Sequence, residues 1–134
     1  MNSSKVIFYL NDDSDDLYFF KNTMGSLGHQ VLVFHKAEIM LKWLHRHPTK
    51  PEVIFLDVHV PILNGEEILS HLKSSHAYGS VPVVIISSIY PKKLVRQLLA
   101  VGANYLMKRT ATNDLKTALE NVLKLVFEQQ KLSA

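Results

Sequence analysis

Asn11, Asp12 and Asp13, then Asp57, then Ser87 and Ser88, and finally Lys108 each follow directly on a short apolar run of this chain. Carboxylates brought together from two such places suit a hard divalent cation such as magnesium, which takes oxygen ligands and keeps several waters. A lysine and a hydroxyl beside that cation could hold the oxygens of a transferring phosphoryl group. A carboxylate in the same place can act as the nucleophile and become an aspartyl phosphate. Any one of these residues, taken alone, reads more readily as a polar turn residue after a strand. Their conjunction is what points to phosphate or metal chemistry.

The elements that must position them can be read from the apolar pattern. Val6 to Leu10, Val31 to Phe34, Val53 to Leu56, Val81 to Ile86 and Tyr105 to Met107 are short runs rich in β-branched and aromatic residues, the mark of buried strands. Pro82 sits near the start of its run, where a missing N–H is tolerated. Between the strands, apolar residues recur at helical spacing. Leu17, Phe20, Met24 and Leu27 mark a first helix ended by Gly28, with Ser14 as a good N-cap and Asp15 and Asp16 in the first turn, where the helix dipole favours acids. Ile39, Met40, Trp43 and Leu44 mark a second, ended at His47-Pro48. Ile68, Leu69 and Leu72 belong to a third, and Leu94, Val95, Leu98 and Leu99 to a fourth ended by Gly102. Leu115 to Val126 form the last. Strict β–α alternation predicts an α/β fold, a doubly wound five-stranded parallel sheet with helices on both faces. In such folds function gathers outside the carboxyl ends of the strands, where the polar residues above stand.

Composition narrows the classes. A length of 134 residues suits one compact domain over residues 1–134, and 47% hydrophobic with 20% charged residues reads as soluble and globular. With no cysteine, neither disulfides nor thiolate metal sites are available. The apolar run near the N-terminus is too short for a signal peptide or a spanning helix, so a cytoplasmic location and no membrane partner are expected. A charge of +3 would permit a nucleic-acid role, yet the basic residues are scattered and no DNA-binding signature is present, so nucleic acid is not expected as a partner. The seven histidines show no zinc-like spacing, and no G-x-S-x-G elbow surrounds the serine pair. Tyr90, Lys92, Lys93 and Arg96 read as a solvated helix face or a partner surface, and Trp43 as core.

Over nearly its whole length the chain resembles the receiver domain of two-component response regulators. FLDVHVPILNG is similar to the phosphoacceptor segment, with Asp57 at the strand end, Pro61 four residues on and Gly65 eight residues on. VPVVIISS resembles the fourth strand, with Ser87 as the hydroxyl residue. GANYLMK resembles the approach to the essential lysine, here Lys108, with Tyr105 as the switch aromatic. The resemblance implies a flavodoxin-like (βα)5 fold of the stand-alone type, with no output domain. It implies that a sensor histidine kinase or histidine phosphotransfer protein supplies a phosphoryl group to Asp57, with Mg2+ bound and with Lys108 and Ser87 on the phosphoryl oxygens. Asp12, Asp57 and the backbone carbonyl of His59 would hold the metal. Ser87 and Tyr105 would then shift and alter the face built from the fourth helix, fifth strand and fifth helix, for a downstream protein that the residues do not identify. Such a domain is a switch and not a turnover enzyme.

Three departures stand out. Aligning Ser14 with the position that follows the acidic pocket puts Asn11 where the family has its first acid, Asp12 as the direct metal ligand and Asp13 on a variable position. The alternative register makes Asp12 and Asp13 the pair. Asparagine removes one negative charge, which predicts weaker magnesium binding. Arg109 follows Lys108 where a proline in a cis peptide is usual; before a non-proline residue a cis bond costs about 3 kcal/mol, so the loop is expected to take another path. The stretch from Gly102 to Lys108 is one residue shorter than usual. These motivate a second reading, a degenerate receiver that works as a constitutive protein-binding module with weak or no phosphorylation. A small aspartate-based phosphatase is a third, disfavoured because His59 stands where one such family has its second acid.

Overall fold

The computed structural model describes residues 4–57 and 63–133 of the chain. Five strands, β1 (Val6–Leu10), β2 (Gln30–Phe34), β3 (Val53–Asp57), β4 (Val83–Ser87) and β5 (Tyr105–Lys108), form one parallel sheet in the order β2-β1-β3-β4-β5. Helices α1 (Ser14–Ser26), α2 (Ala37–Arg46), α3 (Leu63–Lys73), α4 (Lys92–Val101) and α5 (Leu115–Ser133) connect or follow them, with a 3-10 turn at Thr112–Asp114 before α5. The predicted doubly wound α/β architecture is the one observed.

The strand pleat sorts the core into two layers. Ile7, Tyr9, Val53, Phe55, Val84, Ile86 and Met107 pack on one face with Leu17, Phe20 and Met24 of α1 and Leu119, Val122, Leu123 and Val126 of α5. Phe8, Leu10, Ile54, Leu56, Val83 and Ile85 pack on the other with Met40, Leu44, Leu69, Leu72 and Leu98 of α2, α3 and α4. Successive side chains alternate because a strand has a period of two, and both faces are covered, as the continuous apolar runs require. Trp43 lies against this second layer, as expected of core, with its indole stacked on His47 at 3.6 Å.

Two ends differ from the sequence expectation. The N-cap of α1 is Asp13, not Ser14: Asp13 is extended, and its Oδ1 accepts from the Asp15 and Asp16 N–H groups at 2.9 and 3.0 Å. A carboxylate there adds the dipole attraction that a hydroxyl lacks. Strand β4 begins at Val83, because Pro82 has no N–H to give a ladder; its carbonyl still accepts from Ile54 N–H at 3.0 Å. At the end of α4, Gly102 takes φ +118°, a left-handed conformation open to glycine, and its N–H returns to Leu98 and Leu99 carbonyls.

Candidate functional site: a closed acidic pocket

Asn11, Asp57 and Ser87 are the buried polar residues of the described core, each at the carboxyl end of a strand. Register decides which of them meet. Tyr9 pairs with Phe55, so Asp57, two residues on, shares a face with Tyr9; Asp57 pairs with Ile86, and Ile86 with Met107. Residues in one cross-strand row point the same way, so Asp57 emerges on the α1/α5 side. Ser87 pairs with Lys108 on the next row, which points to the α2–α4 side. The ladder continues one step further through a 3.0 Å bond from Arg109 N–H to the Ser87 carbonyl. Arg109 therefore follows Met107 onto the face of Asp57, and Lys108 does not.

The side chains bear this out. The Arg109 guanidinium donates from Nη2 to Asp57 Oδ1 and from Nη1 to Asp16 Oδ2 at 3.0 Å. Asp57 Oδ2 accepts from the Tyr9 hydroxyl at 2.9 Å and from Asn11 Nδ2 at 3.1 Å. Asn11 Nδ2 also lies 2.9 Å from the Tyr9 oxygen and 3.1 Å from Asp16 Oδ2. Its Oδ1 accepts from Asp13 N–H at 3.0 Å, which fixes the amide with its nitrogen toward the carboxylates. Tyr9 is itself held by stacking on Phe20, ring centroids 3.8 Å apart.

Electrostatics follow from burial. The Asp57 side chain is 2% exposed, so its charge has to be met from within the protein. Burial pulls the Arg109 pKa down, but the charge and hydrogen bond of Asp57, with Asp16 behind it, outweigh burial and hold it above the ordinary value. Burial, then the Asp57 charge, pushes the Tyr9 phenol well above the ordinary tyrosine range, so it stays a proton donor. A cleft of about 80 Å³ opens beside this cluster, lined by Asp57, Asp16, Arg109, Thr110 and Thr112 together with apolar side chains from α1 and β5.

The other predicted site residues stand as follows. Asp12 and Asp13 are exposed, Asp13 serving as the helix cap. Lys108 is exposed at the end of β5 and makes no ion pair with an acid among the described residues. The Ser87 hydroxyl is buried and turned to the β4–α4 loop, donating to the Ile89 carbonyl at 3.0 Å. Tyr105 packs against the α1/α5 layer, whereas Leu106 and Tyr90 pack in the other. The Tyr90 hydroxyl donates to the carbonyls of Ile85 at 3.0 Å and Met107 at 2.5 Å, tying β4 to β5. His59 and Pro61 lie outside the described residues.

Three residues of the site were not foreseen in their roles. In the sequence Tyr9 reads only as strand, Asp16 only as a helix-start acid, and Arg109 only as the absence of a proline. The period-two alternation of β1 and β5 would have placed Tyr9 with Asn11 and Arg109 with Met107.

Comparison with known proteins bears on the family and the fold. The chain is 28% identical over 120 residues to chemotaxis protein CheY1 of Helicobacter pylori, covering 87% of this chain and 95% of that one. It is 22% identical to the 3',5'-cyclic-nucleotide phosphodiesterase regA of Dictyostelium discoideum, spanning only 16% of that protein's length but 96% of its own. Among solved structures it superposes on the phosphorylated cyanobacterial phytochrome response regulator RcpA with a TM-score of 0.81, at 18% identity and 95% and 96% coverage. The Mn(2+)-bound form of response regulator Rcp1 gives 0.75 at 18% identity, with 88% and 91% coverage. No described helix is long and apolar enough to cross a membrane. The response regulator receiver domain model matches residues 7–120, and the chain belongs to that family.

Proposed function

We propose that this receiver accepts a phosphoryl group on Asp57 from the phosphohistidine of a sensor kinase or phosphotransfer protein. The observation that carries the reading is Asp57 itself, whose side chain is 2% exposed at the end of the central strand β3 and is met by a guanidinium, a phenol and an amide. In the transfer an Asp57 oxygen forms a bond to phosphorus and the bond from phosphorus to the partner's imidazole nitrogen breaks, the nitrogen keeping the electron pair. Arg109 stands beside Asp57, where the oxygens of the incoming phosphoryl group would lie, and a preorganised cation there lowers the barrier by stabilising their charge. Its place on the face of Asp57 supports giving it the contact that the family resemblance implies for Lys108. Ser87 sits beside Lys108 in the neighbouring row and remains the hydroxyl proposed to turn toward the phosphoryl group.

Whether a divalent cation fits can be judged from the donors. Magnesium needs several open oxygens in near-octahedral array. Here Asp57 Oδ1 is bonded to Arg109, Oδ2 to Tyr9 and Asn11, and Asp16 to Arg109, while Asn11 turns its nitrogen inward. The described His, Asp and Glu residues offer no group of three arranged to hold a metal. Among the described residues, Asp57 and Asp16 are already committed to Arg109 and do not fit the cation while Arg109 holds this position, so no step is derived through it.

The output face proposed for a downstream protein is the one formed by α4, β5 and α5. Rearranging Ser87 and the Tyr90 hydroxyl, which grips the β4 and β5 carbonyls, would reach that face through a two-state element. The test is intact-mass analysis after incubation with a small acyl phosphate. One added phosphoryl group, absent from Asp57→Asn, is expected; wild type left unmodified would overturn the reading in favour of a constitutive binding module.

A further inference from the structure

Arg109 is held by two acids at once, and one of them is the proposed phosphoacceptor. Its guanidinium spans Asp57 Oδ1 and Asp16 Oδ2 with its side chain 27% exposed, so it lies across the mouth of the pocket. The geometry of the rest suits a monovalent resident. Asn11 offers Nδ2 to both acids, where an aspartate would set a third negative charge against them. Tyr9 is kept protonated and donates to the remaining oxygen. Among the described residues that touch Asp57 and Asp16, the two carboxylates, one guanidinium and two neutral donors leave a single negative charge, well satisfied by hydrogen bonds. The same carboxylates without Arg109 would leave two charges needing a cation. A guanidinium also has five N–H donors in a rigid fork, so it can keep its Asp16 bond while turning other donors to a phosphoryl group.

We propose that Arg109 is the built-in counter-cation of the pocket, occupying the position between Asp57 and Asp16 in place of a divalent metal. The chain's own arginine thereby excludes such ions, and phosphoryl acceptance proceeds without them. The second half of this rests on Asp57 being the phosphoacceptor; the first half does not.

The experiment is a titration of Mn2+ against the full chain, read as the loss of the free-ion paramagnetic resonance signal. Arg109→Gln should bind Mn2+ at least tenfold more tightly than wild type, and Arg109→Lys, which keeps a charge, should gain less. Equal affinity in wild type and Arg109→Gln, including no detectable binding to either, overturns the proposal. Should Arg109→Gln fail to fold, wild type alone decides: Mn2+ binding that Asp57→Asn abolishes would show the metal already seated, against the proposal. In a parallel arm, wild type is exposed to an acyl phosphate with magnesium or with a chelator. An adduct formed in both conditions agrees with the proposal, and one abolished by the chelator contradicts it. An adduct in neither condition is a failure of the phosphoacceptor reading, and the Mn2+ titration then still tests Arg109.

Discussion

Arg109 and Asp57 form an ion pair in which the acid's side chain is 2% exposed and the base's 27%. Removing the base leaves a largely buried charge without its counter-ion. Arg109→Gln is therefore expected to lower stability by about 1–3 kcal/mol, the usual cost of leaving a buried group unsatisfied. Adding Asp57→Asn to that variant removes the stranded charge while the Tyr9 and Asn11 donors keep an acceptor. The double variant should unfold at higher urea concentration than Arg109→Gln alone. Strictly additive losses would show that the two side chains are not coupled.

Asn11 tests the charge balance from the other side. Asn11→Asp replaces a donor with a third acid beside Asp57 and Asp16, so the melting temperature should fall at neutral pH. The loss is on the order of 1–3 kcal/mol for a buried, unpaired charge. Divalent cation should recover little of it while Arg109 sits between Asp57 and Asp16, and more in Asn11→Asp combined with Arg109→Gln, where a donor set of the kind magnesium takes is open. Melts with and without magnesium measure both effects. No destabilisation would mean that Asn11 is not packed against these acids as described.

Tyr9 gives a pH dependence with a defined sign. Burial first, then Asp57, raises its pKa above the ordinary 10.0, and burial does the same to Tyr90. The folded state thus keeps these protons longer than the unfolded chain does. Their contribution to stability is full below pH 10 and declines as the pH rises further, where the unfolded tyrosines ionise first. Urea midpoints should drop as the pH rises from about 10 to about 11, and Tyr9→Phe should flatten the drop. That variant also gives up the 2.9 Å bond to Asp57, at a cost of about 1–2 kcal/mol near neutrality. A slope unchanged in Tyr9→Phe would contradict the assignment.

Asp13 separates a capping role from a pocket role. Its Oδ1 serves two N–H groups at the start of α1, and Asp13→Ala should cost about 1 kcal/mol. Asp13→Asn and Asp13→Ser, which also cap, should recover most of it. Equal losses in all three, measured by chemical denaturation, would show that the charge and not the cap matters.

What the residues disclosed in advance follows from which physics is local. Apolar runs and β–α alternation are local patterns, so β1 to β5 and their parallel direction were legible, as was the gathering of Asn11, Asp57 and Ser87 at strand ends. The partner of Asp57 was not, because it depends on the register of β5 against β4, and one residue of register exchanges the two faces. Counted to Lys108, the stretch after Gly102 is one residue short; counted to Arg109, the deficit disappears. The departure first read as a shortened loop is thus better described as an arginine reaching the place where a lysine was sought. Tyr90 was hidden for a similar reason, since its hydroxyl bonds reach β4 and β5 carbonyls and nothing in its neighbours in sequence signals them.

The central claim, that Asp57 is a phosphoacceptor served by Arg109, is tested most directly by phosphotransfer from a phosphorylated histidine kinase, with the products resolved by intact mass. Wild type is predicted to gain one phosphoryl group with magnesium or chelator present, Asp57→Asn none, and Arg109→Gln at least tenfold more slowly than wild type in chelator. Transfer to Asp57→Asn, or none to wild type while the same kinase phosphorylates another receiver in the same assay, would contradict it.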